Sequence, residues 1–323
     1  MDTIKYVVIG ASGHHHQISD AVDAGLINPP CAVAAASPRE DMVKLAALAG
    51  GKLYDDYKEM LEAEKPAVAV INPWYGYIAP VTEYCLKNGI HVYSEKPLAA
   101  DFEQFESLKR TYEASGLDLG CMLNLNCCSW YKAIENAIND GEIGPVRFIH
   151  GQKSYRMGIR GEHYHKRSDY SGTIPWISIH AVDWVLRLGG RCQWVAASHT
   201  RIENRGNGEM ESAAAVLLQL ENGVIGTVDT DFLRPVGSAR HDDDRLRVTG
   251  TKGMLEVIDG RVYLENDLPR RELVNPEGEN PFIRFVKGIG TAQNRKLAEE
   301  AFEDTRICLL ARQAADEGQV VSC

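Results

Sequence analysis

The stretch "YVVIGASGHHHQISDAV", residues 6–22, has the form of the strand, turn and helix that open a dinucleotide-binding unit. An apolar strand runs into a glycine-rich turn, as in the G-x-G-x-x-G fingerprint. Gly10 keeps the first position of that fingerprint, but Ser12 and His15 stand where the second and third glycines are expected. The stretch therefore predicts a dinucleotide-binding loop of altered geometry.

Each residue of this turn has an expected role toward an anion. Ser12 is small and can donate its hydroxyl to a phosphate, and Gly13 adds backbone freedom one position late. The first turn of the following helix offers N–H groups and the positive end of its dipole. His14 or His15 adds a further donor, or both are exposed and inert. We expect the loop to bind a dinucleotide, with an altered geometry.

Apolar, β-rich segments alternate with helical patterns over residues 1–123, which predicts a doubly wound α/β domain with a parallel, Rossmann-type sheet. The predicted strands are Tyr6–Ile9, Ala32–Ala36, Ala67–Ile71, His91–Ser94 and Leu117–Met122. The predicted helices are Asp41–Ala49, Tyr57–Ala63, Ile78–Lys87 and Phe102–Ala114. Cofactor residues are expected at the carboxyl ends of these strands.

Residues 124–323 carry a different pattern, which predicts an α+β domain with a large, open, mostly antiparallel sheet. Runs such as "AAAVLLQLENGVIGTVDTDF" alternate apolar and polar residues, and turn sequences suited to hairpins separate them. A closing helix is predicted over Leu297–Gln313. Two domains agree with the length of 323 residues. Because an uncovered sheet face tends to find a partner, a homo-oligomer, either dimer or tetramer, is expected.

Composition narrows the classes of partner. The net charge of -10 argues against a nucleic-acid or anionic-membrane surface, since both would be repelled. Apolar runs are interrupted before they reach the length of a membrane span, and no signal peptide is expected. The eight cysteines include no C-x-x-C pair, which fits a reducing, cytoplasmic compartment.

A series of motifs in fixed order identifies a family. A Glu-Lys-Pro triplet ends the fourth predicted strand in "GIHVYSEKPLAAD", residues 89–101, and "INPWYGY", "DGEIGPV", "SGTIPWISIHAVDWVLRLGG" and "VTGTKGMLEV" stand in order around it. This arrangement resembles the Gfo/Idh/MocA oxidoreductases, relatives of glucose–fructose oxidoreductase and inositol dehydrogenase. The resemblance implies an NAD(P)-dependent enzyme that moves hydride between nicotinamide and a secondary alcohol or carbonyl of a sugar, sugar acid or cyclitol.

Two residues carry the expected chemistry. Lys96 ends a strand at the ligand edge of the sheet, where the resemblance implies a place near the nicotinamide and a substrate hydroxyl. His180 matches the family histidine that acts as acid or base toward the carbinol oxygen. Asp183 follows His180 by three residues and is expected to orient His180 or a helix start, or to contact substrate. Trp176 stands where the family has an aspartate, and i,i+4 spacing places it on the face of His180 as a wall for substrate.

The cofactor is expected to be NADP or NAD, with NADP preferred. Ser37 and Arg39 follow the second strand, where a hydroxyl and a guanidinium suit a 2′-phosphate. In the alternative, Glu40 and Asp41 make Arg39 a surface residue at a helix start. Further cofactor contacts are expected directly after the third and fourth predicted strands. The residues there are Asn72, Pro73 and Trp74, and Glu95 and Lys96.

The segment "YRMGIRGEHYHKRSDY", residues 155–170, lies where the family places substrate-facing residues. It predicts recognition of hydroxyl or carboxylate groups by Tyr155, Arg156, His163, Tyr164 and His165. His163-x-His165 has no carboxylate or thiol partner at convincing spacing, so no metal is expected.

Two other functions remain open from the sequence. The degenerate glycine turn and the lost aspartate are what a non-catalytic sensor of dinucleotides or sugars would show. An enzyme that keeps its cofactor and recycles it internally would instead perform net lyase or glycosidase chemistry.

Overall fold

The computed structural model of the chain describes residues 4–38, 40–123 and 125–323. Arg39, one of the predicted cofactor residues, lies outside them. The chain forms two compact units, each with its own sheet. Unit 1 comprises Met1–Leu123, Ser168–Ser171 and Asn280–Glu303, and unit 2 comprises Asn124–Arg167, Gly172–Glu279 and Asp304–Cys323.

The sheet of unit 1 has six parallel strands in the order β3-β2-β1-β4-β5-β6. They are β1 (Tyr6–Ile9), β2 (Val33–Ala34), β3 (Leu53–Tyr54), β4 (Val68–Ile71), β5 (His91–Ser94) and β6 (Leu119–Cys121). The order reverses between β1 and β4, which is the point where doubly wound sheets bind ligands. The predicted Rossmann-type class is confirmed.

Ten α-helices lie in the described part of the chain. They are α1 (His16–Asp23), α2 (Val43–Leu48), α3 (Tyr57–Glu64), α4 (Ile78–Lys87), α5 (Phe102–Ser115), α6 (Ser129–Asn139), α7 (Arg167–Tyr170), α8 (Ile179–Gly189), α9 (Pro281–Lys287) and α10 (Ala292–Glu317). None of these helices combines the length and the apolar character that crossing a bilayer requires. The predictions for α3, α4 and α5 are confirmed to within one residue.

Helix α9 completes the core of unit 1 although it lies far beyond residue 123. Phe282 packs against Tyr6 and Tyr93, with ring centroids 5.2 and 5.3 Å apart, and Phe285 stacks on Tyr93 at 5.3 Å. All four rings are buried, so this late segment covers apolar surface that the first 123 residues leave open.

The sheet of unit 2 has nine strands in the order β14-β13-β12-β11-β7-β10-β9-β8-β15. They are β7 (Val146–Tyr155), β8 (Cys192–Thr200), β9 (Ala213–Leu220), β10 (Ile225–Asp231), β11 (Asp242–Gly250), β12 (Met254–Ile258), β13 (Arg261–Glu265), β14 (Arg271–Leu273) and β15 (Val321–Ser322). The pair β7–β10 is parallel and the other pairs are antiparallel. The predicted open, mostly antiparallel sheet is confirmed.

Helix α8 lies on one face of this sheet because two strands carry glycine beneath it. A Cβ at Gly151 of β7 would lie 2.9 Å from the Cβ of Ala181, and one at Gly226 of β10 would lie 2.3 Å from Val185 Cγ1. The missing side chains let the helix approach the strands closely. The helix that carries His180 is thereby fixed on the sheet.

Candidate active site

The glycine turn after β1 is held against the end of β4. Gly10 has a φ of +85°, and a Cβ there would lie 2.3 Å from the carbonyl carbon of Asn72 and from the nitrogen of Pro73. The N–H of Ser12 donates to the Asn72 carbonyl at 2.7 Å. Only glycine meets both the left-handed conformation and the close backbone approach.

Glu95, at the end of β5, closes the same turn from the other side. Its side chain is fully buried, and both carboxylate oxygens lie 2.9 Å from His14 Nδ1. The backbone N–H groups of His14 and Lys96 donate to it as well. A Cβ at Gly13, whose φ is +67°, would lie 1.8 Å from Glu95 Oε2. Gly13 therefore makes room for this carboxylate, a role that the sequence analysis did not foresee.

The charge state of Glu95 follows from these contacts. Burial would raise the pKa of its carboxyl, but the charge and hydrogen bonds of His14, with the charge of Lys96, lower the pKa below its ordinary value. At neutral pH Glu95 is therefore a carboxylate that ties the glycine turn to the Glu-Lys-Pro triplet.

Unsatisfied polar atoms at the carboxyl ends of the strands fit a bound dinucleotide. Asn72 is fully buried, and neither its Nδ2 nor its Oδ1 has a hydrogen-bond partner among the described residues. The buried Nδ1 of His15 also lacks one. Burial, followed by the charge of His16, lowers the pKa of His15. Since such orphaned groups cost free energy, a ligand that reaches them would be stabilised.

The end of β2 is occupied by a carboxylate. The Glu40 side chain accepts hydrogen bonds from the N–H groups of Ala36, Ser37 and Ala11 at 2.9, 3.0 and 3.1 Å. The Ser37 hydroxyl accepts the N–H of Trp74 at 2.9 Å. Sequence reasoning treated Glu40 only as a neighbour of Arg39. The signal that was available is an acidic residue shortly after the second strand.

Lys96 and the residues after β4 line the same edge of unit 1. Lys96 is 1% exposed, and its ammonium lies 5.9 Å from the ring centroid of Tyr75. The rings of Trp74 and Tyr77 meet edge to face at 6.5 Å. Pro73 is buried beside them. Unit 1 thus gathers the predicted cofactor residues that the structure describes, and Glu40 and Tyr75, which sequence reasoning did not single out, lie among them.

In unit 2, His180 stands in the first turn of α8, directly after a π-helical turn over Ile174–Ser178. Four residues make about one turn in either kind of helix, so Trp176 and His180 share a face. Both are 8% exposed. Such π-helical turns within helices are frequent at functional sites.

Trp176 belongs to an aromatic cluster. Its ring is nearly parallel to that of Phe232, with centroids 6.0 Å apart, and meets Tyr164 edge to face at 4.9 Å. His163 lies on Tyr164 with ring centroids 4.1 Å apart. Burial, and then the charge of Arg160, lower the pKa of His163 to about 4, so it is neutral at pH 7.

The other predicted substrate residues of residues 155–170 have different surroundings. Tyr155 is half-buried between Phe232 and His241, and burial raises its pKa although the Lys153 cation opposes this. Arg156 donates to the carbonyl of Ser238. His165 is exposed, and its carbonyl accepts the N–H of Glu209 at 3.0 Å.

Asp183 is bound elsewhere than the sequence analysis expected. Its buried carboxylate accepts from Arg187 Nε at 2.8 Å, and the same guanidinium donates to Asp304 at 2.8 Å. Burial raises the pKa of both carboxyls, and the charge of Arg187 opposes this. Asp183 is thus part of a buried ion cluster that joins α8 to α10.

The parallel sheet and the turn at Gly10 define a Rossmann domain, the class of domain that binds dinucleotides. It matches the family described as the oxidoreductase family with an NAD-binding Rossmann fold. A family model with that description matches residues 4–121, and a model of the GFO/IDH/MocA C-terminal domain matches residues 131–256. The chain belongs to the Gfo/Idh/MocA family, as its motifs predicted.

Individual relatives vary in coverage. A solved structure from Thermotoga maritima, described as an oxidoreductase, is 34% identical over 99% of this chain and 100% of its own, with a TM-score of 0.92. A 2,7-anhydro-N-acetylneuraminate hydratase of Mediterraneibacter gnavus is 25% identical over 59% of this chain and 50% of its own. A scyllo-inositol 2-dehydrogenase (NADP(+)) of Bacillus subtilis is 27% identical over 36% and 33%. The chain therefore spans half, or less, of the length of these two curated relatives.

Proposed function

We propose that this protein is an NAD(P)-dependent dehydrogenase or reductase that acts on a secondary alcohol or carbonyl of a sugar, sugar acid or cyclitol. The observation that carries the proposal is Lys96, a buried cation at the carboxyl end of β5, next to a carboxylate that is bonded to the glycine turn. A lysine so placed suits a hydrogen bond to a reacting oxygen.

The roles of the residues follow from their chemistry. Asn72, His15 and the turn from Gly10 to Ser12 would hold the dinucleotide, which when bound supplies or accepts the hydride. Lys96 would donate a hydrogen bond to the substrate oxygen. His180 would take the hydroxyl proton during oxidation and return it during reduction.

For the cofactor we propose NAD, against the NADP preference drawn from Ser37 and Arg39. The Glu40 carboxylate stands at the end of β2, where it can accept from a ribose 2′-hydroxyl but would repel a 2′-phosphate. The Ser37 hydroxyl is bonded to the backbone of Trp74 instead.

Titrating the empty protein with NADH and with NADPH tests this proposal. We expect NADH to bind at least about tenfold more tightly, and Glu40→Gln to reduce the difference because it removes the repelling charge. Asp41→Asn, an adjacent change of equal charge, is the control. Tighter binding of NADPH by the unaltered protein would contradict the assignment, and binding of neither would contradict the proposed function.

A second candidate is an enzyme whose cofactor stays bound, so that the net reaction is not a redox reaction. The relative from Mediterraneibacter gnavus is named a hydratase, which favours keeping this candidate. Cofactor that survives purification and turnover without net formation of NADH would support it. Accumulation of one NADH for each substrate molecule consumed would exclude this candidate.

We also propose that the open face of the unit 2 sheet joins copies of this chain. Phe148, Leu217 and Ile225 are 37–38% exposed there, and Phe148 and Ile225 are register partners on β7 and β10. Sedimentation is expected to show a dimer or tetramer that the double variant Phe148→Asp, Ile225→Asp converts to monomer. Val274→Asp, at an exposed residue outside this patch, is the control. A monomeric unaltered protein would refute this.

A further inference from the structure

Arg160 lies against three aromatic rings of unit 2. Its guanidinium carbon is 4.5 Å from the ring centroid of Phe232, 5.5 Å from Tyr164 and 5.9 Å from Trp176. Each ring presents negative quadrupole charge to the cation, which holds the guanidinium in place without an anion. Arg160, Tyr164, Trp176 and Phe232 together form the Arg160 cluster.

The guanidinium of Arg160 forms no ion pair with the described residues, and one of its buried hydrogen-bond donors is unsatisfied. One NH2 group donates to the carbonyl of Arg156 at 3.0 Å, while the buried Nε–H has no partner among the described residues. No carboxylate of the described chain pairs with Arg160. The adjacent His163 is neutral at pH 7, and the Nε of Arg156 is also buried without a partner. Unused donors around a fixed cation provide a binding site for an anion.

We infer that Arg160 binds a carboxylate of the substrate, so that the substrate is a sugar acid rather than a neutral sugar or cyclitol. The inference rests on the proposed function. A carboxylate matches the planar fork of a guanidinium and would satisfy donors that are otherwise orphaned. Arg160 lies 5.9 Å from the ring of Trp176, which shares its helical face with His180, so the cluster adjoins the residue proposed for proton transfer. The aromatic rings offer apolar faces to sugar C–H groups.

Arg160 is the cation that the rings hold, and Arg156, whose Nε also lacks a partner, lies beside it. His163 adds no charge at pH 7, because burial and the charge of Arg160 lower its pKa to about 4. We choose a carboxylate because its two coplanar oxygens match the planar fork of the Arg160 guanidinium. The sources to be distinguished are a sugar carboxylate and a sugar phosphate.

Initial rates with matched substrates test the inference. Glucuronate and galacturonate are compared with glucose and galactose, with glucose 6-phosphate as a third arm, using the preferred cofactor. We expect kcat/KM for the acids to exceed that for the neutral sugars by about 30-fold or more, as for a charge-assisted pair of hydrogen bonds. Arg160→Gln removes this preference through KM, and Arg160→Lys retains part of it. Arg191→Gln, at an arginine whose side chain is 82% exposed, leaves it unchanged.

Binding measurements separate this inference from the proposed function. If nothing is turned over, but calorimetry shows that glucuronate binds the unaltered protein and not Arg160→Gln, the carboxylate site stands and the dehydrogenase fails. If neutral sugars and acids react equally well, and Arg160→Gln changes neither, the carboxylate site is refuted while the dehydrogenase stands. A preference for glucose 6-phosphate that Arg160→Gln abolishes also refutes it. Melting curves confirm folding, and Arg160→Lys replaces Arg160→Gln if the latter does not fold.

Discussion

Replacing Lys96 with alanine is expected to abolish turnover while leaving binding of the dinucleotide largely intact. The substitution removes the buried ammonium that follows β5, and with it the hydrogen bond that we propose to the reacting oxygen. A positioned acid or base contributes about 10²–10⁴-fold to a rate, so kcat should fall by about 10²-fold or more. Initial rates and a fluorescence titration with NADH measure the two quantities.

The matched control is Lys87→Ala, which removes an exposed lysine that pairs with Glu83 on α4. It should change neither rate nor binding, since exposed pairs contribute little. Turnover retained by Lys96→Ala would overturn the assignment of Lys96. An unaltered protein that binds a dinucleotide but turns over no sugar, sugar acid or cyclitol would instead favour the non-catalytic sensor.

Replacing Gly13 with alanine is expected to weaken dinucleotide binding by about 30-fold or more. The new Cβ would lie 1.8 Å from Glu95 Oε2. The carboxylate cannot move aside cheaply, because it is fully buried and accepts three sets of hydrogen bonds. The glycine turn must therefore shift. Together with the left-handed φ, this should also destabilise the fold by about 1–3 kcal/mol.

Gly25→Ala separates the two causes. Gly25 has a φ of +68°, like Gly13, but a Cβ there meets nothing within 4 Å. It should therefore show the cost of backbone strain alone and bind NADH normally. Combining Gly13→Ala with Glu95→Ala should cost less binding than the sum of the single changes if the clash is the cause. Additive losses, or normal binding by Gly13→Ala, would contradict the assigned role of Gly13.

Much of the fold could be predicted from local patterns. Strands β1 and β5 and helix α4 begin and end where the sequence analysis placed them, because buried strands and amphipathic helices leave a clear period. The two-residue strands β3 and β15 were missed. Such short segments have no period to read, and Leu53 of β3 is 49% exposed. Strand β3 forms by pairing with β2 and strand β15 by pairing with β8, because the outer backbone groups of β2 and β8 would otherwise lack partners in the sheet.

The candidate functional residues also fall into two groups, those that local sequence motifs reveal and those that they do not. Its motif residues, among them Gly10, Glu95, Lys96 and His180, could be named from the sequence because spacing within one segment reveals them. Glu40, Phe232 and Arg160 could not, since their roles depend on segments that are distant in the chain. Phe232 directly follows β10, and its ring meets Trp176 and Arg160 only once the sheet has formed.

The sequence by itself therefore determined the class of fold, the order of the elements and the motif residues, because each depends on neighbours along the chain. Only the tertiary structure decided that Gly13 makes room for Glu95, that Asp183 belongs with Arg187, and that Phe282 covers the first sheet. The physical reason is that packing, burial and charge pairing act through space. A side chain's role is set when folding brings its partner within contact distance.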